Sequence, residues 1–347
     1  FLGKENLYYL ITSQSESRFE RKEVSEKNLS DLQQFLLNVS SVSQNEAISK
    51  NLYKWLGMNQ VDRNKDRLIV IPNNILGYLP FETLQNEKGE MLFEKFSISY
   101  APSVRLVHQL SIDKRNNDKS WAGFLTDTNS EVSLDAANNE VAQLSNLLKG
   151  DVFKGSEASS ISLFEAASTY DIIHLALHSK ADANNPLFSK IYFDEEVINA
   201  ADIYGSTISS KMVVLSSCES GSGQLKKGEG VMSLSRAFTY AGAASTVVSL
   251  WEVPDKETAR IMTLFYQHLK QGKAKDVALC DAKLEYLNTT EDALLKHPYY
   301  WAGFVVTGDT SPLFEKQTYS WWVITGIGVL SLVGFIVYRK KRSVQAA

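Results

Sequence analysis

The sequence predicts an α/β fold built on a largely parallel sheet, and three observations predict it. Short apolar, β-rich runs alternate with amphipathic stretches of helical length along most of the chain. Two of these runs, Met212-Val213-Val214-Leu215 and Thr246-Val247-Val248-Ser249-Leu250, read as apolar on both faces, which suits central strands covered by helices on either side. The helical stretches carry their own boundary signals. After Pro254, Asp255 and Glu257 make an acidic first turn, while Lys270 and Gly272 mark the end.

Taken in order, strands are expected over 7–12, 67–71, 96–100, 120–125, 171–176, 190–193, 211–216, 244–250 and 302–306. Helices are expected over 29–40, 45–56, 103–112, 135–148, 158–168, 230–241, 255–270 and 275–288. No fixed-period repeat is present. The polar stretch Asp113-Lys114-Arg115-Asn116-Asn117-Asp118-Lys119 is the best internal boundary, separating an N-terminal subdomain (1–112) from a larger one (119–309). Residues 310–318 form a short polar tether.

Composition narrows the function. Of 347 residues, 44% are hydrophobic and 22% charged, the usual globular mixture. A net charge of −4, with no Lys/Arg run interleaved with aromatics in the body, gives no footprint for nucleic acid. Two cysteines, Cys218 and Cys280, make neither a disulfide framework nor a zinc site. The sequence has no initiator Met and opens directly on the strand-like run Leu7-Tyr8-Tyr9-Leu10-Ile11, as a piece of a longer chain would. Near the other end, Ser320 to Tyr338 is an uncharged run of 19 residues, close to the ~20 that a helix needs to cross a bilayer. Tyr319, Trp321, Trp322 and Tyr338 flank it, and Arg339-Lys340-Lys341-Arg342 follows. A buried helix would leave those four cations beside a core. The pattern predicts a membrane-spanning helix over 319–338, a basic cytoplasmic tail over 339–347, and a body outside the cytoplasm.

Two strand ends carry the reactive side chains. Tyr170-Asp171-Ile172-Ile173-His174-Leu175-Ala176-Leu177-His178 ends on an imidazole, and Met212-Val213-Val214-Leu215-Ser216-Ser217-Cys218 ends on a thiol. In open α/β sheets, ligands bind just outside the carboxyl ends of the strands. Two residues 40 positions apart, about one βαβ interval, can meet there. An imidazole beside a thiol takes its proton and later protonates a leaving amine. The N–H groups of Ser179 and Cys218 are candidates to hold the oxyanion. The residues alone leave a second reading open, in which Cys218 is a small buried hydrophobe.

Other motifs carry less. His174 and His178 have HxxxH spacing, but on an Ile/Leu-rich strand, with Leu175 where the Glu of HExxH would stand, so no metal is expected and His174 reads as a hydrogen-bonded core residue. The glycine-rich loop 221–230 lacks Lys and Ser/Thr after its last Gly, so nucleotide binding has weak support. Ser216 and Ser220 replace both glycines of a hydrolase nucleophile elbow. Cys280 sits mid-helix among apolar neighbours and reads as packing. His108 and His268 fall on helices with no acid–base partner within sequence reach.

At these residues the sequence resembles the CHAT family of caspase-related peptidase domains. His174-Leu175-Ala176-Leu177-His178 is similar to the family's HLA-x-H box, and Leu215-Ser216-Ser217-Cys218-Glu219-Ser220-Gly221 to its LSxCESG box. Further similar stretches are Leu79-Pro80-Phe81-Glu82, Tyr100-Ala101-Pro102-Ser103, Leu250-Trp251-Glu252-Val253-Pro254-Asp255 and His297-Pro298-Tyr299-Tyr300-Trp301-Ala302-Gly303-Phe304. The resemblance implies two fused caspase-like subdomains, the first acting as scaffold. It also implies His178 and Cys218 as catalytic dyad, peptide bonds as substrate, no cofactor, and TPR repeats upstream. In separases, a related group, an Asp in a similar stretch receives an Arg, which implies Asp255 as substrate-binding carboxylate and cleavage after Arg or Lys. The family usually has Gly after the catalytic His; here Ser179 stands, restricting the backbone at an oxyanion donor. That departure sustains an alternative, a catalytically silent CHAT domain serving as a membrane-tethered interaction module.

Overall fold

The N-terminal residues form a hairpin of β1 (Asn6–Thr12) and β2 (Ser17–Glu23), paired antiparallel outside the main sheet. Ser25 and Asn28 then close a capping box on α1 (Glu26–Val39), and the Asn45 side chain caps α2 (Glu46–Trp55). The structure, a computed structural model, describes residues 1–43, 45–106, 119–127, 131–182, 185–216 and 230–315. The remaining elements are β3 (Arg67–Val70), β4 (Ser97–Tyr100), β5 (Lys119–Leu125), α3 (Glu131–Leu148), β6 (Asp151–Lys154), α4 (Ser160–Thr169), β7 (Tyr170–Ala176), β8 (Ser179–Lys180), β9 (Lys190–Tyr192), β10 (Val197–Asn199), α5 (Ala200–Tyr204), β11 (Met212–Leu215), α6 (Gly230–Ala241), β12 (Ser245–Ser249), α7 (Asp255–Lys270), α8 (Lys275–Thr289) and β13 (Phe304–Gly308).

Eight strands make one sheet in the order β3-β4-β13-β12-β11-β7-β5-β6. Strands β12, β11, β7, β5 and β6 run parallel, and β3, β4 and β13 run parallel to one another. The two blocks meet at the antiparallel β12–β13 pair. The α/β class with a mostly parallel sheet is therefore as expected, and β11 and β12 are buried along their whole length at its centre. The N-terminal strands β3 and β4 share this sheet with the later strands, because β13 lies against β4.

Right-handed crossovers place the helices. The chain steps outward from β5 to β6 through α3, then returns through α4 to β7 on the other side of β5, so α3 and α4 cover opposite faces. Helix α3 packs against α7, and α7 against α8. This reversal of direction between β5 and β7 is a topological switch point, the kind of place at which open α/β sheets bind ligands outside the carboxyl ends of their strands.

Among the described residues, no helix is long and apolar enough to cross a membrane. The expected span (319–338), the basic tail (339–347), the end of the tether (316–318), the glycine-rich residues 221–229, His108, the end of the helix expected over 103–112, the polar stretch over 113–118 and Cys218 itself lie outside the described residues.

Candidate active site

Strands β7 and β11 are neighbours in exact parallel register, with Val214 opposite His174 and Leu215 opposite Leu175. The pairing continues one residue further, as Ser216 N–H donates to the Leu175 carbonyl at 3.1 Å. Both strands thus end at the same level of the sheet edge. His178 follows two residues after β7 and is exposed, while Cys218 follows three residues after β11 in the sequence.

Beyond His178 the chain leaves the main sheet. Ser179 and Lys180 form β8, which pairs with β9 in a three-stranded antiparallel sheet with β10. The ladder bond at this point joins Tyr192 N–H to the His178 carbonyl at 2.9 Å, which fixes the backbone of the imidazole-bearing residue. The β9–β10 turn is itself tied to the sheet edge, since Asp127 N–H, just after β5, donates to Asp194 Oδ2 at 2.7 Å. Ser179 is buried, and its backbone is ordinary strand. Among the described residues only Val42, Asn74 and Lys149 adopt positive φ without being glycine. The Gly-to-Ser departure therefore demands no left-handed backbone at this position.

One turn of the pattern below His178, His174 is completely buried and fully engaged. Its Nδ1 lies 3.1 Å from Tyr266 Oη on α7. Its Nε2 lies 3.0 Å from Glu140 Oε1 on α3 and 3.3 Å from Ser216 Oγ. The Trp121 ring of β5 sits 6.0 Å away between centroids. Burial pushes the Tyr266 hydroxyl well up, so it keeps its proton. The trio Ser216–His174–Glu140 is not a hydrolytic triad, because serine and carboxylate share one ring nitrogen and nothing reaches them from solvent. His174 is thus the hydrogen-bonded core residue its sequence context predicts. Among the described residues no three His, Cys, Asp or Glu side chains gather as a metal site.

Glu140 was not legible as a site residue, although a signal existed. It lies on the same helical stripe as Val141, Leu144 and Leu148, all buried, so a carboxylate interrupts an apolar face. Cys280 packs in α8, with Sγ 3.4 Å from the Phe93 carbonyl, and burial pushes its thiol up to about 11. The tertiary structure gives His268 charged neighbours. Glu285 Oε2 of the adjacent helix α8 lies 3.0 Å from Nε2, and Lys273 Nζ lies 3.0 Å from Nδ1. Asp255 is exposed in the first turn of α7, which follows β12, the neighbour of β11.

Comparison with known proteins agrees with this architecture. The chain is 24% identical over 300 residues to human Tetratricopeptide repeat protein 28, matching 70% of this chain and 12% of the relative. The mouse protein of the same name is 24% identical over 297 residues, with the same coverage. The chain thus spans about an eighth of the length of these curated relatives. Among solved structures, a chain of the Saccharomyces cerevisiae separase–securin complex superposes with a TM-score of 0.50 at 12% identity, over 70% of this chain and 16% of that one. The Arg-specific cysteine proteinase gingipain R of Porphyromonas gingivalis gives a TM-score of 0.47 at 8% identity, over 84% and 77%. Residues 46–309 match the CHAT domain, and the chain belongs to the CHAT domain family.

Proposed function

We propose that this chain is a cysteine endopeptidase with His178 and Cys218 as its dyad. The reading rests above all on the in-register, parallel β7 and β11, whose carboxyl ends lead into these two residues at one sheet edge. In the proposed reaction the His178 imidazole takes the Cys218 proton, and the thiolate attacks the scissile carbonyl carbon. The N–H groups of Ser179 and Cys218 hold the resulting oxyanion. The imidazolium then protonates the leaving amine as the C–N bond breaks. Water, deprotonated by the same imidazole, hydrolyses the thioester and releases the carboxylate product and the free thiol.

Two finer points belong to the same proposal. Asp255 receives an Arg or Lys side chain before the cut, in keeping with its place in the first turn of α7, one strand over from β11. The body is tethered to a membrane through 319–338 and lies outside the cytoplasm, in keeping with the uncharged run and the four cations after it. Repeat-bearing segments upstream are the proposed protein partners, as the curated relatives' name suggests.

Turnover of quenched-fluorescent peptide pools tests the reading. Wild type is expected to cleave, and Cys218→Ala and His178→Ala to abolish cleavage while keeping the wild-type melting temperature. Turnover surviving in Cys218→Ala would rule out the thiol mechanism. A wild type inert toward every pool would favour the silent interaction module. Protease shaving of intact cells tests the topology: the body should be removed, and its protection would refute the proposed orientation.

A further inference from the structure

The proposed dyad follows β7 and β11 in the sequence, and the structure contains a buried node that joins these two strands. Glu140 is 3% exposed and His174 is not exposed at all. A carboxylate withdrawn from water is costly unless it is hydrogen-bonded or paired. Glu140 Oε1 lies 3.0 Å from His174 Nε2 and, among the described residues, makes no aligned hydrogen bond, so the contact is one of charge and proximity. A carboxylate this close favours a hydrogen on Nε2. Tyr266, which keeps its own proton, completes the ring at Nδ1, and Trp121 packs beside it. These groups come from α3, α7, β5 and the residue that follows β11.

The node has a direct geometric consequence. His174 lies on β7, four residues before His178, and Ser216 lies two residues before Cys218. The hydrogen-bond partner of Nε2 is Ser216 Oγ at 3.3 Å, with the Glu140 carboxylate beside the same nitrogen at 3.0 Å. One ring nitrogen therefore ties the end of β7 to the first residue after β11, and Glu140 sets the ring's tautomer and orientation. We infer that Glu140, acting through His174 and Ser216, is a positioning residue that fixes the relative placement of His178 and Cys218. The inference rests on the peptidase reading and adds to it a residue from α3, remote in sequence from both motifs. Misplacement of reacting groups by about 1 Å costs on the order of 10²-fold in rate.

The test uses the full chain and two readouts, kcat and KM on a cleaved peptide, and the pH dependence of Cys218 alkylation by iodoacetamide read by peptide mapping. Glu140→Met keeps the volume and loses the acceptor; Ser216→Ala removes only the hydroxyl link; Glu140→Gln keeps an acceptor oxygen at the same place. Glu140→Met and Ser216→Ala are expected to lower kcat and neutral-pH alkylation at least tenfold, with KM within twofold and the profile moved toward that of a free thiol. Glu140→Gln is expected to stay within threefold of wild type. If Glu140→Met fails to fold, Ser216→Ala alone carries the test. Profiles for Ser216→Ala that superimpose on wild type overturn the inference while leaving the dyad intact. A Glu140→Gln as impaired as Glu140→Met overturns it too, by assigning the effect to charge. Wild-type Cys218 reactivity that ignores His178→Ala would sink the dyad and the inference together, a result distinguishable from the others.

Discussion

Removing Lys283 tests whether the N-terminal strands and the rest of the chain share one core. Its ammonium is 2% exposed, 3.3 Å from Glu82 Oε1 and 2.7 Å from the Phe304 carbonyl. Glu82 is itself 4% exposed and accepts from Tyr100 Oη at 2.6 Å. Burial and this carboxylate together push the Tyr100 hydroxyl well up, as expected beside a buried anion. The pair joins residues 201 positions apart, across the junction where β13 lies against β4. Lys283→Met leaves the Glu82 charge without its cation and the Phe304 carbonyl without that donor, and breaking one side of such a pair costs ~3–5 kcal/mol. At ~2 °C per kcal/mol for a domain of this size, the melting temperature should fall by roughly 6–10 °C. Glu82→Gln, which keeps an acceptor for Tyr100, should recover part of that loss when combined with Lys283→Met, with a coupling of ~0.5–3 kcal/mol in a double-mutant cycle. Differential scanning calorimetry should record one displaced transition. A loss below ~1 kcal/mol, or an early transition confined to the N-terminal part, would refute the shared core, since a buried unpaired charge must cost more than that.

Three further outcomes follow from the same contacts. A Cβ at Gly123 would lie 2.3 Å from the Trp121 ring that flanks His174, so Gly123→Ala should cost ~1–3 kcal/mol and slow peptide cleavage; an unchanged denaturation midpoint would contradict it. The Cys280 thiol titrates near 11 when folded, above its ordinary value near 9, so its contribution is full below pH 9 and is lost as pH rises through 11. Urea denaturation should therefore show stability falling across that window, less so in Cys280→Ala, and identical slopes for the two proteins would exclude the cause. Because Asp255 is exposed, Asp255→Ala should lower kcat/KM for Arg-containing peptides by about tenfold, or ~1.4 kcal/mol, and an unchanged preference in a peptide library would remove Asp255 from the substrate site.

What the sequence made legible follows from burial. Strand β11 is all-apolar and β12 is uncharged, both being buried along their whole length at the centre of the sheet, and runs of that kind need no context to be read. Strand β2, Ser17-Arg18-Phe19-Glu20-Arg21-Lys22-Glu23, escaped because it is an exposed partner of β1 and carries charges where a core strand would alternate. Strands β8 and β10 have two and three residues, too few for any period to appear. The strands that precede His178 and Cys218 in the sequence were readable because each is an apolar run. Their adjacency in register was not, since strand order is set by long-range pairing rather than by local pattern. The same reason hid the place of β13, expected as a strand over 302–306, between β4 and β12. Glu140 was hidden by its helix: only the tertiary structure brings its carboxylate to His174.

The proposed dyad is tested most directly by covalent capture at the thiol. Wild-type protein is treated at neutral pH with a peptidyl acyloxymethyl ketone bearing Arg before the warhead, and the modified residue is located by mass spectrometry. Modification should fall on Cys218, should be lost in His178→Ala, and should spare Cys280, whose partly buried thiol is pushed up to about 11. Labelling that persists at the wild-type rate in His178→Ala, or that falls on Cys280 instead, would contradict a His178–Cys218 dyad.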